Sequence, residues 1–200
     1  MTLKDFLEKY DKAGSIVLLE GKRKVPESDA EKLTRLGRLL AEKSSHIIFR
    51  SGNAEGSDHL FSQGVASVCP QRLQVITPYA GHRQKHNQAY ETFPLDNINM
   101  AEEPEVVYQS KQNKRVGKLI DQYVEGQVNR ISIKAAYIIR DTVKVIGTSE
   151  IPPATVGIFY NDLARPEDGG TGHTINICKQ NNVPSIDQTI WIEWLEVEND

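Results

Sequence analysis

Short apolar runs alternate along the chain with longer segments whose apolar residues recur at helical spacing. The runs that fit buried strands lie at 16–19, 46–49, 73–76, 143–146, 156–160 and 183–186. The segments that fit helices lie at 3–10, 28–41, 56–68, 111–124, 128–140 and 174–180. Strands that alternate with helices form parallel sheets, because each crossover connection must cover the sheet. The pattern therefore predicts an α/β fold, a Rossmann-like three-layer sandwich with a mostly parallel sheet and helices on both faces.

Length and composition favour one globular unit. The 200 residues, 38% apolar and 26% charged, predict a single Rossmann-like domain over 1–200. An irregular polar insertion is predicted at about 78–108. Connections of this length are usually lids or binding loops, and a disordered insertion is the alternative. No run has the length of a signal peptide or a membrane span, so we expect a cytoplasmic protein without a membrane partner.

The net charge and the cysteine content limit the classes of partner and cofactor that the chain is predicted to bind. The net charge of −3 argues against a protein that coats nucleic acid, so nucleic acid is predicted to be an unlikely partner. Cys69 and Cys178 belong to no metal-binding spacing, and no metal or cofactor is predicted.

Two glycine-rich turns carry the chemical signal. The stretch 46–58 combines an apolar strand, a turn containing Gly52 and Gly56, and the start of a helix. Small residues at such a turn allow the backbone to approach an anion held by exposed helix N–H groups. A second turn, at 168–174, follows a later strand and contains three glycines. Two such turns predict one nucleotide-like ligand held from both sides.

In an open parallel sheet the loops that follow the strands emerge along one edge, where ligands bind. We expect Arg23, Arg50 and Arg83 to bind phosphate oxygens, and the two turns to contact phosphate and ribose. Asp58 fits equally well a ribose contact and a carboxylate that complements the helix dipole. The predicted ligand-binding residues are Gly21, Arg23, Arg50, Ser51, Gly52, Asn53, Ala54, Gly56, Ser57, Asp58, Arg83, Gly169, Gly170, Thr171, Gly172, His173 and Thr174.

These motifs resemble a known superfamily. Two motifs are similar to the opening of the superfamily that joins DNA-processing protein A to the lonely guy phosphoribohydrolases. They are Gly21-Lys22-Arg23 after the first strand and the stretch 51–58 (Ser-Gly-Asn-Ala-Glu-Gly-Ser-Asp) after the second. The turn at 169–174 resembles the superfamily's second glycine-rich turn. The resemblance implies a Rossmann-like fold, a phosphate-binding loop and a homo-oligomer, such as a homodimer.

The chain departs from the lonely guy pattern at the catalytic position. Asn176 stands where that family has its catalytic Glu, and hydrolysis would require Glu55, Asp58 or Asp162 instead. The preferred hypothesis is a sensor or binding module for a nucleotide-derived phosphorylated ligand, ADP-ribose-like or a nucleotide sugar. The alternative is a nucleotide hydrolase that cleaves an N-glycosidic or phosphate bond. The third is single-stranded DNA binding, which the resemblance to DNA-processing protein A implies.

Overall fold

The structure is a computed structural model that describes residues 1–112, 116–126, 129, 132–166 and 168–196. The strands are β1 (Ile16–Gly21), β2 (Ile48–Ser51), β3 (Leu73–Thr77), β4 (Glu91–Pro94), β5 (Val156–Tyr160) and β6 (Ser185–Ile186). The α-helices are α1 (Leu3–Tyr10), α2 (Glu27–Lys43), α3 (Ser57–Ala66), α4 (Pro104–Lys111), α5 (Gly117–Val124), α6 (Ile133–Ile146), α7 (Gly169–Gln180) and α8 (Gln188–Glu196).

The six strands form one parallel sheet in the order β4-β3-β2-β1-β5-β6. The predicted Rossmann-like α/β class is confirmed. The strands from β1 to β4 step toward one side of the sheet, and β5 and β6 occupy the other. Strand order therefore reverses between β1 and β5. At such a reversal the loops leave in opposite directions and a crevice opens at the carboxyl ends of the strands.

The two faces of the sheet bury different helices. Val17 and Leu19 pack with Phe61 of α3 and Trp191 of α8 on one face. Leu18, which points the other way along β1, packs with residues of α6 and α7. Glu20 is two residues beyond Leu18, so strand alternation directs its side chain toward α6 and α7 as well. A carboxylate is thus buried at the carboxyl end of β1.

Several predicted elements differ from the observed ones. The prediction of a strand at 143–146 is wrong, because this apolar run is the last turn of α6. The predicted helix at 111–124 is wrong at its start, because α4 ends at Lys111 and α5 begins at Gly117. The predicted start of a helix at 128 lies outside the described residues. Strand β4 was not predicted, since it is a short edge strand with exposed residues in the segment 78–108.

The end of the chain contains a further unpredicted helix. Residues 188–196 form α8, in which Trp191 is fully buried and its indole N–H donates to the carbonyl of Phe159 at 2.9 Å. Within the part of the chain that the structure describes, no helix combines the length and the apolar character needed to cross a bilayer. The division of the chain into one domain with an insertion at 78–108, and its cytoplasmic location, stay predictions.

Candidate functional site

A cleft of about 440 Å³ opens at the carboxyl ends of β1 and β5, where strand order reverses. Gly21, Lys22 and Arg23 enter it from the end of β1 and the loop that follows. Ala54 and Asp58 enter it from the first glycine-rich turn, and Gly169, Gly170 and Thr171 enter it from the second. The two turns, far apart in sequence, thus converge on one cleft. Helix α6 provides the remaining wall.

Close backbone packing brings the loops together. A Cβ atom at Gly21 would lie 2.2 Å from the carbonyl oxygen of Tyr160, so only glycine allows β1 and β5 to approach at this point. Gly56 has a φ of 76°, and a Cβ atom there would lie 2.0 Å from the carbonyl oxygen of Arg23. Ser57 donates from its hydroxyl to the carbonyl of Lys22 at 2.8 Å. The loops after β1 and β2 are therefore locked to each other.

Asp58 organises the first glycine-rich turn. Its carboxylate accepts hydrogen bonds from the backbone N–H groups of Gly21 at 3.3 Å, Gly52 at 3.1 Å and Ala54 at 3.4 Å. The carboxylate is itself buried. The N–H groups of Gly52 and Ala54 are thus already paired with this carboxylate, and a phosphate contact of the two residues stays a prediction. Asp58 thus acts as a brace, by which we mean that its carboxylate fixes the backbone of the turn through these three hydrogen bonds.

The second glycine-rich turn differs, because its glycines begin helix α7 instead of preceding it. Gly169, Gly170 and Thr171 form the first turn of this 12-residue helix, where backbone N–H groups have no intrahelical acceptor. The N-cap, Asp168, makes no side-chain capping hydrogen bond. The first turn of α7 therefore presents N–H groups and the positive end of the helix dipole to the cleft.

The floor of the cleft is a buried ionic cluster. Glu20 accepts from Lys144 at 2.5 Å and from the hydroxyl of Thr174 at 2.9 Å. Asp141 accepts from the same Lys144 at 2.9 Å and from Arg140 through two nitrogens, at 2.6 and 3.0 Å. Each charge has an opposite partner within hydrogen-bond distance, which is the condition under which buried ions are tolerated.

Burial sets the protonation of this cluster. It raises the pKa of Glu20 to about 7, because the attraction of Lys144 is outweighed by burial together with the nearby carboxylates of Asp141 and Asp58. Burial alone would also raise the pKa of Asp141, but Arg140 and Lys144 hold it below its ordinary value. Asp141 is therefore the ionised partner of Arg140 and Lys144, whereas the pKa of Glu20 lies near neutral pH.

Several predicted site residues are buried beneath the cleft or fix the backbone around it. Arg50 is fully buried and donates to Gln74 and to the carbonyl of Lys144, at 3.1 and 3.0 Å, and it does not line the cleft, so its phosphate contact stays a prediction. The ring of the buried His173 shares a 3.1 Å hydrogen bond with Thr142. The predicted residues with buried or backbone-fixing positions are Arg50, Ser51, Gly52, Asn53, Gly56, Ser57, Asp58, Gly172, His173 and Thr174.

The remaining predicted residues lie at the cleft or at a hollow beside it. Gly21, Arg23, Ala54, Gly169, Gly170 and Thr171 line the cleft together with Asp58. Arg83 lines an adjoining hollow, where it pairs with Glu55 at 2.8 Å. Of the carboxylates considered for hydrolysis, Glu55 is engaged by Arg83, Asp58 by backbone amides, and Asp162 by the N–H of Ala164.

Sequence reasoning missed the contribution of α6. Tyr137, Ile138, Arg140 and Asp141 line the cleft, and Lys144 lies beneath it. A signal was present, because Arg140, Asp141 and Lys144 interrupt an apolar segment at helical spacing. The prediction of a strand at 143–146 concealed that spacing. Among the described residues, no cluster of three or more His, Cys, Asp or Glu side chains is arranged to hold a metal ion.

The fold and the position of the cleft define an α/β protein of the Rossmann-like class. No family model and no curated protein sequence matches the chain. The fold is similar to a solved structure of DNA processing protein A from Helicobacter pylori, with a TM-score of 0.52 and 14% identity over 93% of this chain and 68% of that one. The predicted resemblance to DNA-processing protein A is confirmed at the level of the fold, and the resemblance to the lonely guy enzymes stays a prediction.

The comparison corrects one expectation about partners. The Helicobacter pylori protein binds single-stranded DNA. The prediction that nucleic acid is an unlikely partner is therefore wrong. It relied on the net charge of −3, but net charge averages over the whole surface and does not describe the local charge of one cleft.

Proposed function

We propose that the cleft binds a nucleotide-derived phosphorylated ligand of the ADP-ribose or nucleotide-sugar type. The observation that carries this proposal is the convergence of both glycine-rich turns on one cleft at the point where strand order reverses.

Two kinds of group support phosphate binding at the rim. The first turn of α7 offers backbone N–H groups, and the side chains of Lys22 and Arg23 add positive charge across the cleft. The floor offers the opposite chemistry, since Asp141 and Glu20 are carboxyl groups that accept hydrogen bonds from sugar hydroxyls. A ligand with a phosphate and a polyhydroxylated sugar matches both surfaces.

The test is thermal unfolding with AMP, ADP, ADP-ribose and UDP-glucose. A ligand at a hundred times its Kd adds about 2.7 kcal/mol to the free energy of unfolding. For a chain of this length that corresponds to a rise in Tm of about 5–11 °C. Arg23→Gln is expected to abolish the rise. Lys24→Gln is the matched control, because Lys24 is the next residue, is exposed and does not line the cleft. An unchanged Tm with all four ligands contradicts the proposal.

A second candidate function is single-stranded DNA binding. The likeness in fold to DNA processing protein A favours it, as does the extension of the cleft into a hollow that contains Arg83 and Tyr137. Binding of an oligonucleotide would release counterions, with a slope of log K against log salt of about −0.7 per neutralised phosphate. If Lys22, Arg23 and Arg83 each neutralise one phosphate, anisotropy titrations of a labelled dT oligonucleotide should give a slope of about −2. No binding at low salt would exclude this candidate.

A further inference from the structure

A second hollow of about 190 Å³ adjoins the cleft. It is lined by Arg23, Ala54, Glu55, His82, Arg83 and Tyr137. Arg23, Ala54 and Tyr137 also line the cleft, so the two spaces are continuous. A ligand bound in the cleft can therefore extend into the hollow.

Aromatic rings form the wall of the hollow. The ring of His82 lies 5.1 Å from that of Tyr79 and 5.7 Å from that of Tyr137, in both cases nearly edge to face. The guanidinium groups of Arg23 and Arg140 lie 6.0 and 5.5 Å from the centre of the Tyr137 ring. Aromatic rings and guanidinium planes are surfaces on which nucleobases stack.

His82 adds an unused polar group. The side chain is 8% exposed, and its Nδ1 atom has no hydrogen-bond partner. Burial, helped by the charges of Arg140 and Arg83, lowers the pKa of His82 to about 4, so the imidazole is neutral at pH 7. A neutral imidazole can donate through one ring nitrogen and accept through the other.

The loop that carries these residues is fixed in position. The carbonyl of His82 accepts a hydrogen bond from the side-chain amide of Asn53 at 3.0 Å. Arg83 follows in a left-handed backbone conformation with a φ of 47°, and its guanidinium pairs with Glu55. The positive φ at Arg83 is costly for a residue other than glycine, so these contacts hold a conformation that the chain would not adopt alone.

We infer that this hollow binds the base of a free nucleotide, while the cleft binds the ribose and phosphate of the same molecule. The inference rests on the proposed function and assigns the two parts of the ligand to two surfaces. The cleft combines carboxylates with helix N–H groups, which suit hydroxyls and phosphate. The hollow combines aromatic rings with guanidinium planes, and its one carboxylate, that of Glu55, is already paired with Arg83.

The test compares ligands with and without a base. The affinities of AMP, GMP, CMP and UMP are measured by calorimetry beside that of ribose 5-phosphate. At least one nucleotide is expected to bind about 5- to 140-fold more tightly than ribose 5-phosphate, the equivalent of about 1–3 kcal/mol of stacking. Tyr137→Leu should remove this difference, so that the nucleotide binds no more tightly than ribose 5-phosphate to the same variant.

Two controls separate stacking from loss of structure. Tyr108→Leu changes a tyrosine that is 62% exposed on α4 and lines neither space, and it should leave all affinities unchanged. Thermal unfolding of Tyr137→Leu shows whether the variant folds. His82→Gln provides a second variant, expected to weaken nucleotide binding and to spare ribose 5-phosphate.

The outcomes distinguish this inference from the function on which it rests. Equal affinities for the nucleotides and ribose 5-phosphate would overturn the inference and leave the proposed function standing. Nucleotide affinities that do not change in either variant would also overturn it, since the base would then bind elsewhere. Failure of ribose 5-phosphate and every nucleotide to bind would overturn the inference, and an unchanged Tm with ADP, ADP-ribose and UDP-glucose as well would overturn the proposed function. Binding of a dT oligonucleotide alone would overturn both and favour the DNA-binding candidate.

Discussion

Replacement of Asp58 by Asn tests whether this carboxylate is the brace of the first glycine-rich turn. The change preserves the shape of the side chain and removes one acceptor oxygen and the charge. Asp58 accepts from three backbone N–H groups, of Gly21, Gly52 and Ala54. Its Oδ2 atom serves Gly52 and Ala54, and its Oδ1 atom serves Gly21. An Asn side chain can serve only one of these two directions.

The loss of unfolding free energy in Asp58→Asn follows from the number of backbone N–H groups left without an acceptor. If the amide oxygen of Asn faces Gly52 and Ala54, its NH₂ group faces the N–H of Gly21, and that hydrogen bond is lost. A hydrogen bond to a charged group contributes about 1.5–3 kcal/mol, and the two remaining bonds weaken when the charge is removed. We expect Asp58→Asn to lower the free energy of unfolding by about 3 kcal/mol, a fall in Tm of about 6–12 °C.

Urea unfolding measured by circular dichroism gives the free energy directly, and calorimetry gives Tm. Asp121→Asn is the matched control, because Asp121 pairs with Lys111 at 2.5 Å on the surface and its side chain is 50% exposed. Such exposed pairs contribute at most about 1 kcal/mol. If Asp58→Asn and Asp121→Asn destabilise the protein equally, the carboxylate is not the organiser of the turn.

Three further changes test other parts of the structure by urea unfolding. The pKa of Glu20 is about 7 in the folded protein against an ordinary 4.5, so the folded state binds the proton more tightly than the unfolded state. The free energy of unfolding of the native protein, relative to that of Glu20→Gln, should therefore fall by about 3 kcal/mol between pH 4.5 and 7. A difference that does not vary with pH would contradict this assignment. Gly56→Ala should lower the free energy of unfolding by at least about 2 kcal/mol, because Gly56 has a positive φ and the new Cβ atom would lie 2.0 Å from the carbonyl oxygen of Arg23. Gly170→Ala, whose Cβ atom would meet only a side-chain oxygen at 3.0 Å, should stay within about 1 kcal/mol of the native protein. Trp191→Ala should cost about 3–5 kcal/mol, and a near-native value would show that α8 packs weakly.

Most of the sheet could be predicted because its strands are buried on both faces and appear in the sequence as continuous apolar runs. The same rule misled at 143–146, where an apolar run of strand length is the end of a helix that packs on the sheet. Periodicity does not separate the two cases over four residues. It also misses β4, whose edge position leaves half of its residues exposed.

The candidate site could be predicted only in part. Glycine positions revealed where the chain turns, and both turns do line the cleft. The sequence did not reveal that Asp58 fills the first turn, because a carboxylate that accepts from backbone amides and one that binds a ribose occupy the same sequence position. It also did not reveal that Glu20 faces α6, since a Glu at the end of a buried strand has no partner until the chain is folded.

The positions of the carboxyl groups decide where an anion can bind in this cleft. Asp58 already supplies negative charge to the amides of the first turn, and a phosphate there would have to displace it or lie beside it. At the first turn of α7 the N-cap residue, Asp168, lines the cleft, but its carboxylate accepts no capping hydrogen bond from the helix. Asp141 nevertheless lies close to this helix end, with its Oδ2 atom 3.0 Å from the Cβ position of Gly170. Arg140 and Lys144 neutralise that carboxylate from beneath. In the proposed binding mode, the buried ion cluster therefore allows a carboxylate that accepts from sugar hydroxyls and a helix end that binds phosphate to lie within a few ångströms of each other.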